Sequence, residues 1–164
     1  MPDPDQPLHR AAQVAADPGI QAIGVLLNTS ALIERLLGGA IQHEAGISHS
    51  MFEVLLILAA EPDGTPMSRL SGGLVLTSGG ATRLIDRMIE AGLVTRTPSP
   101  TDRRVQLVAM TDHGEQTLLT AAAAHTREAR RLLRGALSEA EAAGMVDALD
   151  RLGRHARTEL PPLG

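Results

Sequence analysis

Apolar residues recur at helical spacing through most of this chain and change to strand-like runs in only one place. Asp17-Pro18 places an N-cap before a proline at the first helical position. Ile20, Ile23, Leu27, Ala31, Leu36, Leu37, Ala40 and Ile41 then predict one long helix over 18–43. Ser48 can cap a second helix that carries Phe52, Leu55, Leu56 and Ala59 on one face. EPDGTP, residues 61–66, reads as a turn from its Pro, Asp and Gly content. Ser68 to about Leu74 is a short helix, weakened by Gly72-Gly73, and Thr77 opens a further helix that Gly92 ends.

The period changes over 93–110. LVTRT and RVQLVAM are rich in β-branched and apolar residues and are separated by Pro98 to Arg103, which predicts a β-hairpin with a long loop. Gln106 places a polar side chain in the second strand and leaves open which strand face packs inward. Thr111 then caps an Ala- and Leu-rich helix reaching about residue 135. Ser138-x-x-Glu141 is a capping box before a last helix striped by Met145, Leu149 and Leu152. The order is helix, helix, short helix, helix, two-strand hairpin, long helix, helix. The fold class is mainly α with a small two- or three-stranded β wing: a winged helix-turn-helix with long terminal helices that have no adequate core of their own. The corresponding domains are a loose polar arm over 1–16, a helical region from 17–60 and 111–160, and a winged helix-turn-helix over 61–110.

Composition narrows the chemistry. The chain has 164 residues, 43% hydrophobic, enough to fold around a real core. Phe52 is the lone aromatic residue, so the core is built from Leu, Ile, Val, Met and Ala, and a base-stacking platform for single-stranded nucleic acid is excluded. There is no cysteine, which removes disulfides, thiolate zinc sites and thiol redox sensing. All 15 basic residues are arginine, so neither a Walker lysine nor a Schiff-base lysine exists. No cofactor motif is present. His43, Glu44, His49, His113 and His125 do not form a compact metal-ligand spacing. Neither an 18-residue apolar run nor a basic leader followed by an apolar one is present, so the expectation is a cytoplasmic protein without a membrane partner.

The net charge of -4 hides an uneven distribution. Residues 66–110 hold six arginines against Asp86, Glu90 and Asp102, so the basic segment coincides with the predicted helix-turn-helix and hairpin. Within TSGGATRLIDRMIEAG (77–92), Ala81, Leu84, Ile85, Met88 and Ile89 form the stripe expected to be buried. The opposite face carries Ser78, Gly79, Thr82, Arg83, Asp86 and Arg87. Small residues at its N-terminal end permit close approach, and the exposed amides and dipole there favour a phosphate. A helix that reads a major groove uses its N-terminal residues in this way, although the same pattern also describes a solvated surface helix.

The segment LVLTSGGATRLIDRMIEAGLVTRTPSPTDRRVQLVAMTDHG resembles the DNA-binding core of the MarR family of winged helix-turn-helix regulators. Thr82-Arg83, Asp86-Arg87, Gly92-Leu93-Val94-x-Arg96, Asp102-Arg103-Arg104, Val108 and Thr111-x-x-Gly114 carry the resemblance. It is strong over about 65–114 and extends by helix pattern over 18–60 and 115–158. It implies a transcriptional regulator, a repressor that binds a pseudo-palindromic double-stranded DNA operator as a homodimer through interlocked terminal helices. Thr77, Ser78, Gly79, Thr82, Arg83 and Arg87 would lie at the DNA. An arginine at the wing tip suits the negative potential of a narrow minor groove. Asp102 could brace Arg104 by a bidentate pair, with Arg103 on phosphate or exchanging roles with it; the same pair could instead merely close the loop.

The resemblance also implies a small-molecule effector between the dimerisation and DNA-binding regions. His43, Glu44, His49 and Phe52 are the candidate pocket residues, each of which could equally be an ordinary surface or core residue. No nucleophile triad, paired-carboxylate cleft or metal motif supports an enzyme. The competing function is a winged-helix module that docks an acidic protein on the same face.

Overall fold

The computed structural model describes residues 11–61, 63–73, 78–102 and 104–160. The elements are α1 (Ala11–Ala16), α2 (Pro18–Ala45), α3 (His49–Ala59), β1 (Thr65–Pro66), α4 (Met67–Gly73), α5 (Ser78–Glu90), β2 (Val94–Pro98), β3 (Gln106–Met110), α6 (Asp112–Ala136) and α7 (Glu139–Glu159). The chain divides into two compact units, one ending at Leu36 and the other beginning at Leu37. Part of the arm expected to be loose is therefore helical, in α1. The mainly α fold with a small antiparallel sheet matches the expected class.

In the second unit a single core joins α3, α4, α5, the sheet and the first half of α6. Val54, Leu55, Leu58, Leu70, Ile85, Met88, Leu93, Val94 and Val108 are all essentially inaccessible and belong to one contiguous cluster. Each such side chain stabilises the fold by roughly 1.5–3 kcal/mol through removal from water. The buried face of α3 differs from the expected one. Met51, Phe52, Val54, Leu55 and Leu58 point inward, while Leu56 is 47% exposed and Ala59 is also exposed. Helices pack on α3 from more than one side, so its apolar stripe is wider than a single four-residue pattern. In α5, Ala81, Leu84, Ile85 and Met88 are buried as expected, but Ile89 is 37% exposed because it lies at the edge of that stripe.

The sheet has three strands in the order β1-β3-β2, with β3 central and both neighbours antiparallel. The first strand is only Thr65 and Pro66, paired with Val108 and Leu107, inside the segment expected to be a turn. Its proline sits on an edge strand, where a missing N–H is tolerated. Register settles the facing of the hairpin. Val108 pairs with Arg96 and is fully buried, so Gln106 lies on the core-facing side, at its outer end opposite Pro98.

Sequence-encoded caps set several helix ends. The hydroxyl of Ser48 accepts from the Met51 amide, that of Thr111 from the Gly114 amide, and Ser138 with Glu141 forms the full capping box. Helix α5 ends where Gly92 adopts φ +69; the Gly92 amide donates to Ile89 O and the Leu93 amide to Met88 O. That Schellman geometry needs a left-handed residue and turns the chain directly into β2.

The outer surfaces of the terminal helices are apolar. In α2, Ile20, Ile23, Val25, Leu27, Leu32 and Leu36 are exposed, and only Leu37 and Ile41 are buried. No residue of α7 is buried, and Met145, Val146, Leu149 and Leu152 stand open to solvent. By length and composition alone α2 could also cross a bilayer.

Candidate nucleic-acid interface

Helix α5 and the β2–β3 wing are joined by an ion pair. Arg96 Nη2 in β2 donates to Asp86 Oδ1 in α5 at 2.8 Å, and the arginine side chain is only 26% exposed. Arg96 therefore ties the wing to α5. Its Nε is buried without a partner among the described residues, so the pair accounts for only part of its donor capacity. We expect a double-mutant cycle of Arg96→Ala and Asp86→Ala, read by urea unfolding, to give a coupling of about 0.5–1 kcal/mol. This range is discounted for the half-exposed carboxylate. A coupling indistinguishable from zero would show that the pair does not join the two elements.

The wing tip holds itself in shape. Ser99 N donates to Val105 O at 2.8 Å, and Val105 N donates to Asp102 O at 2.9 Å. The Ser99 hydroxyl lies 3.0 Å from that of Thr101 and accepts from the Thr101 amide at 3.3 Å, with Ser99 itself buried. Asp102 plays a different part from the one expected. Its Oδ1 accepts from the backbone amide of Arg104 at 3.0 Å, in an Asx-type turn, not from the Arg104 guanidinium. An aspartate two residues upstream reaches the main chain more readily than a long side chain that extends away from it. Asp102 thus fixes the direction in which Arg104 leaves the loop and leaves its guanidinium open.

The remaining candidates can be placed as follows. Gly79, Thr82, Arg83 and Arg87 lie on the exposed face of α5, and Ser78 is its first residue. Thr77 and Arg103 lie outside the described residues. Of the arginines described in the basic segment, Arg69 pairs with Glu61 and Arg96 with Asp86. Arg83, Arg87 and Arg104 carry no ion pair among the described residues. Three uncompensated guanidiniums on one helix face and one loop tip are what a phosphate backbone with adjacent grooves requires. Sequence reading missed Ser99, because a buried hydroxyl in a Pro-flanked loop leaves no periodic signal.

Of the candidate effector residues, two come together with a third that was considered only for metal. The rings of His49, Phe52 and His125 stack, with His49–His125 centroids 6.0 Å apart and Phe52–His125 5.1 Å apart. Burial, with a smaller contribution from the nearby His49, holds His125 below its ordinary value of 6.5. Glu44 turns instead to Arg127 of α6, with which it forms an ion pair, and His43 is exposed. Among the described residues no three His, Cys, Asp or Glu side chains come together to hold a metal ion.

Residues 47–105 match a family model described as the MarR family. The HTH-type transcriptional regulator MhqR of Bacillus subtilis (strain 168) is 30% identical over 115 residues, 70% of this chain and 78% of that protein. The fold is similar to that of Sco3205, a MarR family transcriptional regulator from Streptomyces coelicolor in complex with DNA. The TM-score is 0.77, with 22% identity over 92% of both chains. It is likewise similar to AbsC, a MarR family transcriptional regulator from the same organism, with TM-score 0.77 and 26% identity over 87% of this chain and 97% of that one.

Proposed function

This chain belongs to the MarR family of transcriptional regulators, and from that premise we propose that it is a repressor that binds a pseudo-palindromic operator as a homodimer. Helix α5 enters the major groove with Gly79, Thr82, Arg83 and Arg87 toward the DNA, and Thr77 and Ser78, which precede them in sequence, are assigned to phosphate. The wing reaches the neighbouring minor groove with Arg104, and its sequence neighbour Arg103 takes a phosphate or exchanges roles with it. The observation that carries this reading is the set of exposed guanidiniums of Arg83, Arg87 and Arg104, without an ion pair among the described residues, in an otherwise acidic chain. Sco3205, which shares the fold, was solved in complex with DNA.

Regions 17–60 and 111–160 form the dimerisation part, and 61–110 the DNA-binding part. The exposed apolar residues of α2 and α7 support this assignment, since faces of that extent need a cover. A second copy covers both helices, whereas a bilayer would account only for α2, which Gln21, Asn28, Glu34 and Arg35 interrupt. The His49–Phe52–His125 cluster, between α3 and α6, is the place for a small aromatic effector. Its relatives are regulators, and we read the protein as a cytoplasmic regulator without enzymatic activity.

Operator selection from random duplexes supplies the test sequence. Arg104→Ala should then weaken operator binding by about 10- to 100-fold, equivalent to about 1–3 kcal/mol, with an unchanged unfolding midpoint. Wild-type affinity in a shift assay would remove the wing from the mechanism. If no duplex is selected, or duplex DNA fails to compete with a bound acidic protein, the protein-docking module replaces the repressor.

A further inference from the structure

The second half of α6 carries four arginines within eight residues, Arg127, Arg130, Arg131 and Arg134. Together with Ala122, Ala123 and Thr126 they line a shallow, open groove along one face of this helix. At about 100° per residue, Arg130 stands on the side of the helix opposite the fully buried Ala121. The Arg130 side of the groove therefore faces away from the winged core, while Ala122 at its edge packs against that core. The groove is also remote from the wing: Arg127 lies about 22 Å along the helix from its first residue, and Arg134 about 33 Å.

Helix stability does not explain the row. Like charges three and four residues apart destabilise a helix by about 0.2–0.5 kcal/mol each. The helix dipole compensates only within the last turn, where Arg134 alone stands. Two of the four charges are neutralised, Arg127 by Glu44 and Arg131 by Glu128 at 2.6 Å. Arg130 and Arg134 have no ion pair among the described residues. They sit one helical turn apart, about 6 Å along the axis, with the small side chain of Thr126 one turn before Arg130.

We propose that this groove binds a small molecule carrying two linked phosphate groups. Planar guanidiniums one turn apart grip adjacent phosphates bidentately, which lysines at the same positions would do less specifically. Arg130 and Arg134 are the primary contacts. Arg127 joins them by exchanging Glu44 for the phosphate, and that exchange releases a tie between α6 and the end of α2. The proposal goes beyond the operator reading and does not depend on it, because binding is measured on the protein alone.

The experiment is calorimetric titration of the full-length protein with inorganic pyrophosphate, ADP and coenzyme A, with AMP and inorganic phosphate as references. Physiological ionic strength screens diffuse attraction. At least one of the three diphosphates should bind, at least about tenfold more tightly than either reference, and Arg130→Ala/Arg134→Ala should weaken it by at least about tenfold. The double variant should keep its helical circular dichroism and its oligomeric state. Equal binding of all three diphosphates identifies the free diphosphate as the determinant, and tighter ADP or coenzyme A adds a nucleotide contribution. No heat from any of them at millimolar concentration, or unchanged binding by the double variant, overturns the proposal. Dissociation of the dimer in that variant also overturns it, by making the row an interface between copies.

Discussion

Gly114→Ala is expected to destabilise the protein by about 3 kcal/mol, the upper end for overpacking a core, because the new methyl group would meet backbone. A Cβ at this position would lie 2.1 Å from the Leu93 carbonyl oxygen and 2.9 Å from Met110 Cγ. A side chain could rotate away, but the Leu93 carbonyl is held. It accepts from the Thr111 amide at 3.1 Å and from the Thr111 hydroxyl at 3.1 Å, and Leu93 is itself buried. The Thr111 hydroxyl in turn caps α6 through the Gly114 amide at 3.0 Å. Thr111 and Gly114 thus form one joint that fastens the start of α6 against the end of α5. For a chain of this size the loss corresponds to about 6–12 °C in Tm at fixed protein concentration. Gly72→Ala is the matched control. A Cβ there meets nothing within 4 Å, and the position is helical, so stability should stay level or rise by up to about 1 kcal/mol. Equal urea midpoints for the two variants would refute the joint.

The second large effect lies at the other end of the molecule. Leu149→Glu/Leu152→Glu should convert the dimer to a monomer and reduce operator affinity by at least about 100-fold, because each half-site must then be bound alone. The two side chains lie three residues apart on an exposed face of α7 and take no part in the core of their own chain. The monomer should therefore retain its far-ultraviolet circular dichroism. Light scattering and a shift assay on the same sample check both halves of the expectation. A variant that stays dimeric would move the interface away from α7. One that becomes monomeric yet binds the full operator normally would remove the need for symmetry.

Much of this molecule was legible from residue spacing. The caps at Ser48, Thr111 and Ser138, the glycine stop at Gly92 and the switch to a period of two near residue 94 are local signals, and each expected element formed within a few residues of its expected position. The two-residue strand Thr65–Pro66 was not legible, since its existence depends on pairing with Val108, more than forty positions away. The stripes of α3 and α5 were misjudged at Leu56 and Ile89, because a helix period defines a face but not how wide a neighbour covers it. Asp102 was correctly placed at the tip but given the wrong partner; whether a carboxylate meets a main-chain amide or a guanidinium depends on the local turn.

The functional surface divides the same way. Residue types and their order by themselves determined a lysine-free, cysteine-free, nearly non-aromatic chain with a basic winged segment, and with it the family and the elements proposed to face DNA. Only the tertiary structure decided which arginines are occupied. Among the described residues Arg69 and Arg96 are paired and Arg83, Arg87 and Arg104 are not, and sequence alone cannot distinguish them because charge is a property of a residue while compensation is a property of a distance. It likewise brought Glu44 to Arg127 and His125 to His49 and Phe52, contacts that close only when α6 folds back beside α3. Short-range spacing writes helices and caps into the chain. Long-range packing chooses which of its charges remain free to act.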